Sequence, residues 1–275
     1  MTEQTVAPLY GRVFIKGNIR VVTGLHIGAA ASALNIGGVD NAVVRDPLTN
    51  QPYLPGSSLR GKMRSLSEKA QQKPQNWPLQ KGVRIHVCRD EAEYRECDVC
   101  RIFGILPSDK IPFSPTRLVM RDVFLSSDTV KDLDDPRIKT DMPYTEVKWE
   151  AAIDRVTSAA VPRQMERVPA DSRFDGFEMV YSIYDQGDVD VLWRLIEGML
   201  LLEDDYLGGM GSRGSGKIAF EAIEIACRGA QGGYGDKASW NDAPATLDKV
   251  WQDRDELIAW VRDQLFAEKD DPEKG

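Results

Sequence analysis

The chain has 275 residues, a formal net charge of −8, 42% hydrophobic and 28% charged residues, and four cysteines. Such a composition excludes a low-complexity or fibrous chain, and the length suffices for one large domain carrying insertions. No apolar run approaches a membrane span and Met1 to Thr5 lack signal-peptide character, so a cytoplasmic protein with no membrane partner is expected.

Alternating Val13, Ile15, Ile19 and Val21 predict a first strand over 12–22. A Gly/Ala-rich loop over 28–40 follows, then short extended pieces at Val43-Val44 and Tyr53-Leu54. A helix is predicted over 57–72, with Ser57 or Ser58 as N-cap and Leu59, Met63 and Leu66 as its buried stripe. A strand is expected over 117–125. Residues 126–171 show no clean period and read as a functional excursion rather than a core element. A strand over 174–184, a helix over 188–206, a glycine loop over 208–216, a strand over 217–226 and an amphipathic helix over 246–266 complete the chain. With insertions removed, the order is strand, helix, strand, strand, helix, strand. That order predicts an α+β fold with a ferredoxin-like (RRM-like) βαββαβ core, a layout shared by RNA-recognition modules.

Net charge argues against a nucleic-acid partner, but phosphate is recognised by local clusters. Arg60, Lys62, Arg64, Lys69 and Lys73 stand against the single acid Glu68, whereas acid concentrates between Asp236 and Glu273. A helix opening with Gly56-Ser57-Ser58 and carrying Arg60, Lys62 and Arg64 suits phosphate binding. The run Gly211-Ser212-Arg213-Gly214-Ser215-Gly216-Lys217 resembles a nucleotide-binding P-loop until Ile218 replaces the required hydroxyl. Its helix-to-strand order is also reversed, which excludes an ATPase. The loop is either a flexible turn or a backbone surface that phosphates approach, with Arg213 and Lys217 adding charge.

His86 and Cys88, with Cys97 and Cys100, supply four ligands at metal-binding spacing. With no obvious open position they suit a structural Zn2+, in preference to free thiols or a redox pair. Cys227 reads as a buried apolar residue. With only two histidines in the chain, histidine acid–base pairs are excluded once His86 binds metal. His26 is either a structural histidine or an RNA contact. Strand-cleaving chemistry would then rest on a carboxylate and metal ions. Asp40, at the end of Ile36-Gly37-Gly38-Val39-Asp40, is that carboxylate or a turn aspartate capping its own backbone.

Several motifs together resemble the RAMP backbone subunits of type III CRISPR effector complexes, the type III-A Csm kind in particular. They are Gly24 to Gly28, Ile36 to Asp40, Leu54 to Lys62, Cys97 to Gly104, Glu150 to Arg155 with Pro162 to Arg167, and Gly208 to Gly216. The resemblance covers about Val13 to Ile225 and implies a single RAMP domain over 1–275. Within it would lie a zinc-binding insertion over 82–106, a projecting thumb hairpin within 126–171, and a C-terminal helix with acidic tail over 236–275. It implies copies stacked as a filament along guide CRISPR RNA, with a polymerase-like large subunit, a small subunit and end-capping RAMP subunits as partners. Target RNA would be cut at regular intervals, with Mg2+ or another divalent metal, by Asp40. Glu146, Glu150 and Glu166 would be possible assisting acids. Guide contacts would come from His26, Ser57, Ser58, Arg60, Lys62, Arg64, Arg155, Arg163, Arg167, Gly211, Arg213, Gly214, Gly216 and Lys217. The alternative is a non-catalytic RNA-binding scaffold of the same complex.

Overall fold

The computed structural model describes residues 8–28, 41–80, 82–106, 111, 115–230 and 234–267. β1 (Gly11–Val21) opens the fold, followed by the short β2 (Tyr53–Leu54), helix α1 (Gly56–Ala70) and a small hairpin of β3 (Trp77–Gln80) and β4 (Val83–Ile85). Two short helices come next, α2 (Glu91–Arg95) and α3 (Asp98–Phe103), then β5 (Leu118–Met120), β6 (Val123–Leu125) and α4 (Ser127–Leu133). A second hairpin is built from β7 (Glu146–Ile153) and β8 (Ala160–Arg167). The chain closes with β9 (Arg173–Ile183), α5 (Gln186–Asp190), α6 (Leu192–Asp204), β10 (Ile218–Gly229), β11 (Ala238–Ser239), α7 (Leu247–Gln252) and α8 (Arg254–Phe266).

This is a mixed α/β architecture around one large sheet. Its strands run in the order β11-β10-β1-β9-β6-β2, with β5 also paired to β9, and every pairing is antiparallel. Period-two patterning explains the core. Val13, Ile15, Ile19 and Val21 of β1 share one buried face with Phe177, Met179 and Tyr181 of β9 and Ile223 and Ile225 of β10. Leu59 and Met63 of α1 and Leu195, Ile196 and Met199 of α6 cover that face. Among the described residues, no helix is long and apolar enough to cross a membrane.

Four sequence expectations are corrected. The helix expected over 188–206 is two helices, because Asp185 forms a capping box with Asp188 and starts α5 before the chain turns at Val191. The helix expected over 246–266 breaks at Asp253 between α7 and α8. The strand expected over 117–125 is interrupted where the Arg121 N–H donates to the Glu178 carbonyl and Asp122 turns toward α1. Residues 126–171 contain a helix and a regular hairpin. Their period is hidden because β7 alternates only over Glu146–Glu150, β8 does not alternate, and the ribbon is largely exposed.

Candidate functional site

Four donors converge between β4 and α3. His86 Nε2 lies 3.7 Å from Cys88 Sγ and 3.4 Å from Cys97 Sγ. With Cys100 Sγ, all four ligand atoms fall within 4.8 Å of one another, and all four residues are buried. A tetrahedral ion bound at about 2.0–2.3 Å needs ligand separations of roughly 3.5–3.8 Å, so the donor set fits. The Pro74 carbonyl sits 3.1 Å from His86 Nδ1, which leaves Nε2 to face the thiols. Hydrogen bonds from the Cys100 and Cys88 thiols hold the Cys97 thiol well below its usual range. Cys88, bonded to Cys100 and Cys97, is driven far up. Cys227 is buried elsewhere, on β10.

The segment that carries these four donors is fastened to the core by cations that sequence reading assigned to phosphate. Arg60 donates to the Phe103 carbonyl. Arg64 reaches the Gly104 carbonyl at 3.0 Å and the His86 carbonyl at 2.8 Å while pairing with Glu68 at 2.8 Å. Both guanidinium groups are therefore held by the protein's own carbonyls, a use that sequence reading did not expect. Arg194 adds an ion pair to Asp98 at 3.0 Å. Fully buried Asp188 accepts from Arg117 Nε at 3.1 Å and Arg101 Nη2 at 2.9 Å, and Arg117 in turn donates to the Tyr94 hydroxyl of α2. The N-terminus of α1 is also spoken for: Pro55 is its N-cap, not Ser57 or Ser58, and the Gly56 N–H donates to Asp122 Oδ1 at 2.7 Å. Ser57 is exposed and Ser58 half-buried.

The hairpin of β7 and β8 presents two different faces. On one, Glu146 pairs with Arg167 at 2.5 Å. Glu150 on the same face meets Lys148 at 3.3 Å, Arg163 at 3.2 Å and Arg213 at 3.1 Å. On the other, Glu166 is 2% exposed and accepts from Val43 N–H at 2.8 Å, Thr145 Oγ1 at 2.6 Å and Arg45 Nη2 at 2.5 Å. A carboxylate so enclosed anchors the hairpin base to residues 43–45 and is not free to assist a reaction, which corrects its expected role. His26 is buried as well. Its Nδ1 sits 2.7 Å from the Glu166 carbonyl and its own carbonyl accepts from the Gly209 N–H at 2.8 Å, contacts that a structural histidine makes. Arg155 is exposed near the hairpin tip.

The glycine loop closes this region. Gly216 has φ +92, and a Cβ on it would overlap the Leu207 carbonyl. Gly211 lies flat on the Tyr206 ring, whose other neighbour is Lys62 Nζ at 3.6 Å from the centroid; Lys62 also pairs with Asp205 at 2.8 Å. Replacing Gly211 by Ala is expected to push the loop off Tyr206 and cost about 1–3 kcal/mol, read as a lower urea midpoint. An unchanged midpoint would show that the loop gives way without strain. Gly214 and the Lys217 side chain remain open to solvent. Arg45, Thr145, Tyr206 and Asp122 were missed by sequence reading, because each acts through a partner distant in the chain. Asp40 lies outside the described residues.

The profile of the RAMP superfamily matches residues 18–219. A protein named CRISPR system Cms endoribonuclease Csm3 from Methanocaldococcus jannaschii is 38% identical over 255 residues, covering 88% of this chain and 96% of the relative. Its namesake from Methanothermobacter thermautotrophicus is 41% identical over 223 residues, covering 77% and 84%. A solved Csm3-Csm4 subcomplex in the type III-A CRISPR-Cas interference complex is similar with a TM-score of 0.57 and 30% identity, over 90% of this chain and 97% of that one.

Proposed function

This chain belongs to the RAMP superfamily, and we propose that it is the repeated backbone subunit of a cytoplasmic type III CRISPR ribonucleoprotein. In that role it holds a segment of guide CRISPR RNA, contacts further copies of itself and other effector subunits, and cuts complementary target RNA at regular intervals. The observation that carries this reading is the near end-to-end similarity to proteins named CRISPR endoribonucleases. We read the sheet as a ferredoxin-like core, supported by the neighbours β10-β1-β9-β6 with α1 and α6 on one face. Residues 82–106 are taken as a zinc-binding insertion and the hairpin within 126–171 as the thumb. The last segment, 236–275, is taken as a C-terminal helical unit.

Cleavage requires little machinery. A ribose 2′-hydroxyl attacks the adjacent phosphorus once the backbone is forced in line, expelling the 5′-oxygen and leaving a cyclic phosphate. Asp40 takes up or orients the hydroxyl proton. When bound, Mg2+ or another divalent cation supplies charge stabilisation at the phosphate. Arg155, Arg163, Arg213, Lys217 and Ser57 are the guide contacts we favour, since Arg60, Lys62 and Arg64 of α1 are each engaged by protein groups. Structural Zn2+ at His86, Cys88, Cys97 and Cys100 is supported by the convergent buried donors.

The test is Asp40→Ala in the reconstituted particle. Assembly and target binding are expected to persist while cleavage falls by about a hundredfold or more. Unchanged cleavage products would move the chemistry to another residue, and loss of assembly would favour the scaffold alternative.

A further inference from the structure

Building on the guide-RNA reading above, we propose that Lys148, Arg163 and Arg213 form a nest for one RNA phosphodiester, and that Glu150 occupies this nest as an intramolecular stand-in for the phosphate. Charge counting leads there first. One carboxylate is held by three cations, at 3.3 Å, 3.2 Å and 3.1 Å, so the cluster keeps a formal excess of positive charge. The hairpin register builds the convergence: Arg163 lies directly opposite Glu150 on β8, and Lys148 lies two residues back on the same face of β7. Arg213 reaches in from the glycine loop, whose backbone is tied to the hairpin by Lys148 Nζ donating to the Arg213 carbonyl at 3.2 Å.

Exposure separates the partners. The Glu150 side chain is 10% exposed, whereas Lys148, Arg163 and Arg213 are 31%, 33% and 46% exposed. The acid therefore sits inside and the cations form the rim, the arrangement of an anion site whose occupant is already in place. Donor capacity is also left over: Arg163 Nε is buried and makes no hydrogen bond among the described residues. Space is open beside the loop, since a Cβ added to Gly214 would meet nothing within 4 Å.

A carboxylate and a phosphodiester each carry one negative charge and accept from the same guanidinium fork. Exchanging one for the other across partly exposed pairs is thus close to balanced, and neighbouring phosphates on the strand tip the exchange toward RNA. Until then Glu150 keeps three mutually repelling cations together. It acts on guide binding, not as an acid in the cleavage step.

The experiment measures binding of the full-length chain to a single-stranded repeat RNA by fluorescence anisotropy across a salt series. Glu150→Gln is expected to bind roughly three- to tenfold tighter, with a log–log salt slope steeper by about 0.7. Arg213→Ala is expected to bind more weakly with a slope shallower by about the same amount. If Arg213→Ala weakens binding while Glu150→Gln leaves it equal or weaker, the stand-in role is wrong and the guide reading stands. If neither Arg163→Ala nor Arg213→Ala changes binding, this face does not hold RNA and the guide reading fails there. Glu150→Ala, expected to act in the same direction, replaces the amide variant should that one not fold.

Discussion

Chelation of the proposed Zn2+ in the purified chain is expected to lower its melting temperature by roughly 10 °C or more and to open residues 82–106 to protease. The size follows from what otherwise holds that module. Its helices α2 and α3 have 5 and 6 residues, too short to persist in water alone, and β3 and β4 form a two-stranded hairpin with Trp77 and Leu79 half exposed. Val99, Ile102 and Phe103 and the Arg60 and Arg64 tethers also hold the segment, so an ion among the four donors spread from 86 to 100 would supply a share of the local folding free energy rather than all of it. Structural zinc sites supply on the order of 10 kcal/mol in small modules; a share of several kcal/mol here, at about 2–4 °C per kcal/mol for a chain of this size, gives the stated shift. Cys97→Ser should reproduce the effect of chelation, whereas Cys227→Ser should leave metal content unchanged. Less than about one zinc per chain, or a melting temperature indifferent to chelator, would overturn the structural-metal reading.

The second large effect is expected at Asp188. Its carboxylate is fully buried and accepts from Arg117, Arg101 and the N–H groups of Tyr184 and Asp185, at 2.9–3.2 Å. Removing it by Asp188→Ala leaves the buried Arg117 guanidinium without its main counter-charge, which costs about 3–5 kcal/mol. Asp185→Ala is the control. That side chain is 51% exposed and its pairs with Arg101 and Arg117 lie at 3.0 Å and 3.5 Å, so loss of these pairs and of the cap it gives α5 is expected to cost about 1–2 kcal/mol together. Urea unfolding decides between them, and a cost below about 1 kcal/mol for Asp188→Ala would show that solvent or a neighbouring acid compensates Arg117. Because Arg117 also holds Tyr94 of α2, the same variant should loosen residues 82–106 without touching His86, Cys88, Cys97 or Cys100.

The readable parts of this molecule are those whose signal is local. Alternating β-branched residues marked β1 to within a residue or two, and the spacing of His86, Cys88, Cys97 and Cys100 announced a convergence that the fold brings about. Helix α1 was found from its apolar stripe, but the purpose of its cations was not. Composition reveals that Arg60 and Arg64 are charged; only the fold reveals that carbonyls 40 or 43 residues away, at Gly104 and Phe103, claim them. Asp188 carries no sequence signal, because its arginine partners lie 71 and 87 residues off. The hairpin of β7 and β8 was unreadable for a different reason. Its one alternating run, Glu146–Glu150, sets charged residues against exposed apolar ones such as Trp149, so no buried face stands out. Glu166 illustrates the limit: an acid expected to assist is enclosed at the base of the hairpin by Val43 and Thr145.

The two borders of the large sheet have a bearing on life in a crowded particle. β11 and β2, which terminate it, are two residues long each, and along the outer side of the longer β10 the Ala245 backbone and the Asn241 side chain take up the backbone groups of Ile223 and Ile225. Many identical molecules held shoulder to shoulder at high local concentration would, with long bare margins, risk fusing into a continuous ribbon. Trimmed margins remove that route to fibre formation, and leave side-chain surfaces to decide how neighbours meet.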